Sequence, residues 1–173
     1  AVVPTAFLER GSRTRLSAVC AEHGWDDVVV KPAISAASFG TARVRRAEFA
    51  RGEAHLAHLL AERDVLVQRY APAVETSGER CLVWIDGELT HAVRKNRRFA
   101  EGVESVTLVP EIAADERALA LALVERFGAG LLYARVDLVR DERGRPCLME
   151  LELLEPSLFL VQHPPARERL VRA

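Results

Sequence analysis

The chain has 173 residues, 49% of them hydrophobic and 28% charged, which is room for one compact domain or two small lobes and is not the composition of a disordered tail. Its 24 basic and 25 acidic residues leave a net charge of −1 and recur along the whole length, so there is no electrostatic footprint for nucleic acid; no run approaches the roughly 20 apolar residues of a membrane helix. Cys20, Cys81 and Cys147 are odd in number, far apart and without a CxxC, which points away from a disulfide framework or zinc site and toward a reducing cytoplasm. Alanine stands first, at the head of a strand-like run, and an upstream part is expected to be missing.

In chain order, residues 12–23 place Leu16, Val19 and Cys20 at helical spacing before the stop at His23-Gly24. Residues 27–31 (DVVVK) read as a strand, followed by Pro32, a loop of small residues (ISAASFGT) and a second strand near 41–45. Residues 47–62 carry Phe49, Leu56, Leu59 and Leu60 on a helical stripe, and VLVQRY is the next strand. The turn formers of APAVETSGE separate two strands or mark a hinge. Residues 81–85, Asp86-Gly87 and 88–93 predict a hairpin with a type I′ turn. The stretch 96–111 reads as a loop with a short strand at SVTLV; Asp115 caps a helix to about Phe127, ended by Gly128 and Gly130. Strands at 131–140 and 147–153 follow, joined by DERGRP, and from Pro164 the chain reads as a short basic helix or a frayed tail.

Only two of the basic residues are lysines, Lys31 and Lys95, and a lysine kept among arginines points to a place that wants a compact ammonium. In ARVDLV, period-two alternation puts Arg135 and Asp137 on one face, and in LMELELLE it does the same for Glu150 and Glu152. If these strands pair antiparallel, three carboxylates and one guanidinium converge. Like charges brought together out of water are costly, and magnesium, an ion that prefers oxygen ligands, would neutralise them; the plainer reading is a solvated charged face with Arg135 in a salt bridge. Lys31, at a strand end before a small-residue loop, offers an ammonium and open backbone N–H groups to phosphates. His23, His55, His58, His91 and His163 have no metal-ligand spacing. Arg94, Lys95, Arg97 and Arg98 form a basic cluster that reads equally as a solvated turn or as an attractor of anions.

As a set, VVVKP, VQRYAP, HAVRK and ARVDLV followed by LMELELLEPS resemble the ATP-grasp ligases, in particular the glutathione synthetase and D-alanine ligase branch and its smaller relatives such as the O-ureido-serine cyclo-ligase. The resemblance runs from about Pro4 to Phe159. It implies an α+β fold of two lobes with mostly antiparallel sheets holding ATP between them, a lid lobe at 1–67 and a metal-bearing C-terminal lobe at 68–173, with the N-terminal domain of the family absent from this chain. It further implies that Lys31 binds ATP phosphates under a lid, SAASFGT, that includes Ser38. Gln68, Arg69 and Tyr70 would form the adenine hinge, and Glu79, or else Glu75, would take the ribose. Lys95 or Arg94 would meet the phosphate or substrate end, and Asp137, Glu150 and Glu152 would hold two magnesium ions. Arg135 would stabilise an oxyanion, and Ser157 would lie in a substrate-contacting turn.

The activity implied is ATP- and magnesium-dependent joining of a small-molecule carboxylate to an amine through an acylphosphate, giving an amide in an amino-acid-derived or peptide-like metabolite. A non-catalytic nucleotide-binding or regulatory module is the alternative. A homo-oligomer, and no nucleic-acid or membrane partner, complete the expectation. The family pattern is not met everywhere: the lid is mostly Ala and Ser where glycine is usual, Glu152 stands where asparagine is common, and 96–109 departs from the usual glycine-containing loop.

Overall fold

Alternate valines of Asp27–Pro32 are fully buried, Val28 and Val30 at 0% exposure, and this period of two places one face of a strand against helices. The computed structural model describes residues 1–35, 38–95 and 105–173, in two units: Val3–Tyr70, and Ala71–Ala173 together with Ala1–Val2.

In the smaller unit, β1 (Thr5–Leu8), β2 (Asp27–Pro32), β3 (Ala42–Arg45) and β4 (Val65–Arg69) form an antiparallel sheet in the order β1-β4-β2-β3. Helices α1 (Leu16–His23) and α2 (Phe49–Glu62) cover one face, and Leu16, Val19, Val44, Leu56, Leu60 and Val67 are among the residues of the core. The helix expected over 12–23 begins only at Leu16 because Ser12 and Thr14 bond to each other in a turn instead. Its free N–H groups are satisfied from α2: the Glu53 carboxylate accepts from Leu16 N at 2.7 Å and Ser17 N at 3.0 Å. The 47–62 helix begins with a single 3₁₀ turn at Arg46–Glu48. Gly52 lies in the first turn of α2, where a Cβ would meet Val44 at 2.5 Å and Leu16 at 2.6 Å. This helix packs too closely on the sheet for any side chain there.

In the larger unit, β5 (Glu79–Ile85), β6 (Glu88–Lys95), β7 (Val106–Val109), β8 (Tyr133–Arg140) and β9 (Pro146–Glu152) form an antiparallel sheet ordered β7-β6-β5-β8-β9. The segment expected as turn contains a one-turn helix, α3 (Ala73–Thr76). Asp86 (φ 44°) and Gly87 (φ 81°) both take the left-handed backbone of the expected type I′ hairpin turn. Asp115 is not the cap of α4 (Ala114–Phe127), whose cap position is Ala113; it lies in the first turn, where its carboxylate accepts from Glu116 N and from Arg140. Helix α4 covers one face of the sheet, packing Ala120 and Val124 against Leu82, Ala92, Val136 and Leu138. Buried Glu116 ties α4 to the strands through Arg80 and Arg140, both at 3.1 Å. The tail from Pro164 is ordered as α5 (Pro164–Arg172), with Ala166 packed on Val83 and Ile85 of the other face and Arg169 bonded to the Ile85 carbonyl at 2.9 Å.

Two register shifts set which residues point where. Val83 pairs with His91 but Trp84 with Leu89, so Thr90 is an extra residue in β6; Asp137 pairs with Glu150 but Leu138 with Leu148, so Met149 is an extra residue in β9. Each bulge reverses the alternation beyond it. Leu89 and Leu148 therefore pack on the α4 side, while His91, Glu150 and Glu152 face the other way.

Candidate functional site

The face of the larger sheet opposite α4 carries Glu79 and Cys81 from β5, Lys95 from β6, Arg135 and Asp137 from β8, and Glu150 and Glu152 from β9. The register pairs Glu79 with Lys95, Cys81 and Glu150 with Asp137, and Glu152 with Arg135. Four neighbouring strands, each contributing alternate residues, build a polar patch from positions far apart in the chain.

Asp137 is its centre, at 0% exposure. Arg135 forks onto it, Nε donating to Oδ1 and Nη2 to Oδ2, both at 2.8 Å; Nη2 also reaches Glu152, and Nη1 donates to the Ser157 carbonyl at 3.3 Å. Lys95 lies 2.7 Å from Glu79 and 3.5 Å from Asp137. Burial alone would raise the pKa of Asp137, but the Arg135 hydrogen bonds and the Lys95 charge hold it below the usual carboxylate range. Glu79 goes the other way: burial and then the Asp137 charge raise it against the pull of Lys95. Glu152 is also raised, by burial first, with Asp137 and Glu150 adding to it against Arg135. Cys81, whose thiol donates to Glu79 at 3.6 Å, is pushed well up by burial and by Asp137 and Glu79, and stays a thiol. Lys95 is opposed by burial but raised by Asp137 and Glu79, so it keeps its proton.

One oxygen from each of Asp137, Glu150 and Glu152 lies within 4.8 Å of the others. An all-carboxylate set of this kind suits a hard cation such as magnesium, which takes one or two carboxylates and completes its shell with water and phosphate oxygens. A second group within the same distance, Glu79, Cys81 and Asp137, contains a thiol that magnesium does not favour.

Of the other residues singled out from the sequence, Arg94 is exposed and alternates away from Lys95 onto the α4 side, so it does not join this patch; Glu75 is exposed on α3, whereas Glu79 is part of it. Ser157 faces the patch through its backbone carbonyl. In the smaller unit, Lys31 and Gln68 are buried on the sheet face opposite the helices, their neighbours across the strands being Leu66 and Val29. Gln68 donates to Thr5 Oγ1 at 3.0 Å; Arg69 is exposed; buried Tyr70 lies under the Arg43 guanidinium, 3.4 Å from its ring centre. Ser38 is exposed, with φ 59°. Residues 36–37 of the expected lid, and Arg97, Arg98 and most of the irregular loop at 96–104, lie outside the described residues.

Reading from sequence missed Cys81, the ion pair of Glu79 with Lys95, and Phe159, whose ring centre lies 5.5 Å from the Arg135 guanidinium. The first two are carried by alternation along GERC, which puts Glu79 and Cys81 on one face once the strand begins at Glu79. Nothing in the local pattern announces Phe159.

No protein-family model matches the chain. It is 34% identical over 176 residues to the cycloserine biosynthesis protein DcsG of Streptomyces lavendulae, across 92% of this chain and 58% of that protein. The crystal structure of the D-cycloserine synthetase DcsG superposes with a TM-score of 0.86 at 31% identity, covering 99% of this chain and 63% of that one. The D-alanine–D-alanine ligase of Bacillus anthracis, solved with ATP, gives a TM-score of 0.69 at 18% identity over 99% of this chain and 58% of its own. The ATP-grasp ligase PsnB, solved with a minimal precursor, Mg and ADP, gives 0.67 at 16% over 99% and 52%. Among the described residues no helix is long and apolar enough to cross a membrane. The chain is thus similar in sequence to DcsG and shares the fold of ATP-grasp ligases, and it spans under two thirds of the length of the relatives it matches.

Proposed function

We propose that this chain is the nucleotide- and metal-binding part of an ATP- and magnesium-dependent carboxylate–amine ligase that forms an amide in a small amino-acid-derived metabolite. The observation that carries the reading is the convergence of Asp137, Glu150 and Glu152 beside Arg135 and Lys95 on one sheet face. The DcsG relative, named for cycloserine biosynthesis, supports the metabolite class.

In this reading Asp137, Glu150 and Glu152 hold magnesium, which when bound supplies charge neutralisation to the transferring phosphoryl group. Lys31, with Ser38 and its loop, binds phosphates; Gln68, Arg69 and Tyr70 hold the base through their backbone at the C-terminal end of the smaller unit; Glu79 takes the ribose hydroxyls. The buried pairing of Asp137 with Arg135 keeps that carboxylate ionised at neutral pH, as a ligand must be. A carboxylate is a poor electrophile and requires activation to an acylphosphate before an amine can attack. The tetrahedral oxyanion then formed is met by the Arg135 guanidinium, whose donors are already fixed by Asp137, Glu152 and Ser157 and need no reorganisation. Lys95, held protonated, adds a second fixed positive charge.

The test is calorimetric titration of ATP into the folded chain with and without magnesium, repeated on Lys31→Ala and Asp137→Asn. Magnesium-dependent binding weakened at least about tenfold in both variants is expected, a loss of roughly 1.4 kcal/mol or more. Equal affinity in all three proteins would contradict the assignment.

A further inference from the structure

We propose that His91 is a positioning residue for Arg135, acting through the Ser157–Phe159 turn; the inference rests on the role given to Arg135 above. Alternation with Val93 and Lys95 along β6 puts His91 on the patch side of the sheet, where it is 4% exposed. There its Nε2–H donates to the Leu158 carbonyl at 3.1 Å, while Nδ1 lies 2.9 Å from the Thr90 hydroxyl. The ring also stacks on His163, 4.9 Å between centres and 21° between planes. One side chain of β6 thus fastens the segment after β9 at two points, 67 and 72 positions further along the chain.

What that segment presents to Arg135 lies on either side of Leu158. The Ser157 carbonyl accepts from Nη1 at 3.3 Å, and the Phe159 ring lies beside the guanidinium, 5.5 Å from its carbon. Phe159 adopts φ 50°, a conformation that a bulky side chain resists, so the turn keeps this shape only while its surroundings hold it. The Leu158 carbonyl between them is where His91 holds it. Asp137 and Glu152 already occupy Nε and Nη2 of Arg135; Ser157 fixes the one remaining nitrogen, and with it the plane in which the guanidinium faces a reacting oxyanion. Burial first, and then His163, push the His91 pKa down to about 4, against the pull of the Leu158 and Phe159 backbone, so at neutral pH the imidazole carries one N–H.

Side-chain ¹⁵N spectroscopy of the Arg135 guanidinium, assigned by its loss in Arg135→Lys, tests this without any ligand. His91→Phe keeps a ring against His163 but has no donor; His91→Gln keeps a donor that can reach Leu158. Exchange of the Arg135 Nη protons with water is expected to rise roughly five- to tenfold in His91→Phe, the fold-change worth one ordinary hydrogen bond, and to return to within about threefold of the parent in His91→Gln. His91→Asn, too short to reach Leu158, should behave like His91→Phe and serves in its place if that variant does not fold. Unchanged exchange in His91→Phe or His91→Asn, with urea unfolding still cooperative, would overturn the proposal, as would a Gln variant no better protected than either. Titrating the same samples with magnesium and ATP separates the two readings. Faster exchange in a chain that binds no nucleotide supports the role of His91 and counts against the ligase, whereas normal nucleotide binding with unmoved exchange does the reverse.

Discussion

Asp137 is a carboxylate at 0% exposure that remains ionised because Arg135 gives it two hydrogen bonds and Lys95 stands 3.5 Å away. Such an arrangement is asymmetric: forming it gains little over an apolar core, but removing one partner strands the other. Arg135→Met is therefore expected to cost about 3–5 kcal/mol. Glu152→Gln, at the half-exposed end of the same network, should cost about 1 kcal/mol or less. Urea unfolding of the two variants checks this, and equal losses would show that Asp137 does not depend on Arg135. A second prediction concerns acid stability. His91 titrates near 4 in the folded chain and near 6.5 unfolded, so the unfolded chain binds more protons in that window. The stability that neutral His91 contributes is complete above about pH 6.5 and is lost as pH falls toward about 4. His91→Gln should flatten the decline of unfolding free energy over that range; parallel profiles for parent and variant would contradict it. At this scale the charged residues were legible because Arg135, Asp137, Glu150 and Glu152 interrupt apolar strands at a spacing of two. Where a pattern offered two neighbours, as with Arg94 and Lys95, only the register at the end of β6 decides, and it sends Lys95 to Glu79.

At the scale of elements, α1 depends on α2 more than its own sequence tells. Arg15 provides no side-chain cap, and Glu53 supplies what a serine or aspartate at that position would have given, from 36 and 37 residues away. Glu53→Ala is expected to cost about 1–2 kcal/mol, as the loss of a good cap does; a thermal midpoint equal to the parent's would show that water satisfies those N–H groups. Gly78 precedes β5 with φ 72°, and a Cβ there would lie 2.9 Å from the Lys95 carbonyl and 2.7 Å from Arg94. Gly78→Ala should destabilise by more than about 1 kcal/mol, and because it displaces the start of β5 it should also separate Glu79 from Lys95. The hairpin at Asp86-Gly87, the helix read over 47–62 and the strands read over 131–140 and 147–153 were all visible to within two residues at each end, since turn chemistry and periodicity act over a few neighbours. The bulges at Thr90 and Met149 were not. A single extra residue leaves no mark in composition, yet without it Leu148 would share the face of Glu150 and Glu152, and Leu89 that of His91.

For the whole molecule, two antiparallel sheets with helices emerged from a sequence whose segment order already resembled ATP-grasp ligases, and the DcsG structure matches 99% of it. The order of motifs was readable because a fold of this kind spaces its chemistry over strand ends that carry strong local signatures, VVVKP and ARVDLV above all. The substrates were not, because residues that select a substrate are commonly carried on loops, which follow no period. The central claim is that this chain binds ATP through magnesium held at Asp137, Glu150 and Glu152. The measurement that tests it most directly is calorimetric titration of ATP into the folded chain at several magnesium concentrations, against Asp137→Asn. Affinity that rises with magnesium in the parent and is flat in the variant is the predicted result. Affinity independent of magnesium, or a magnesium dependence that survives Asp137→Asn intact, would contradict it.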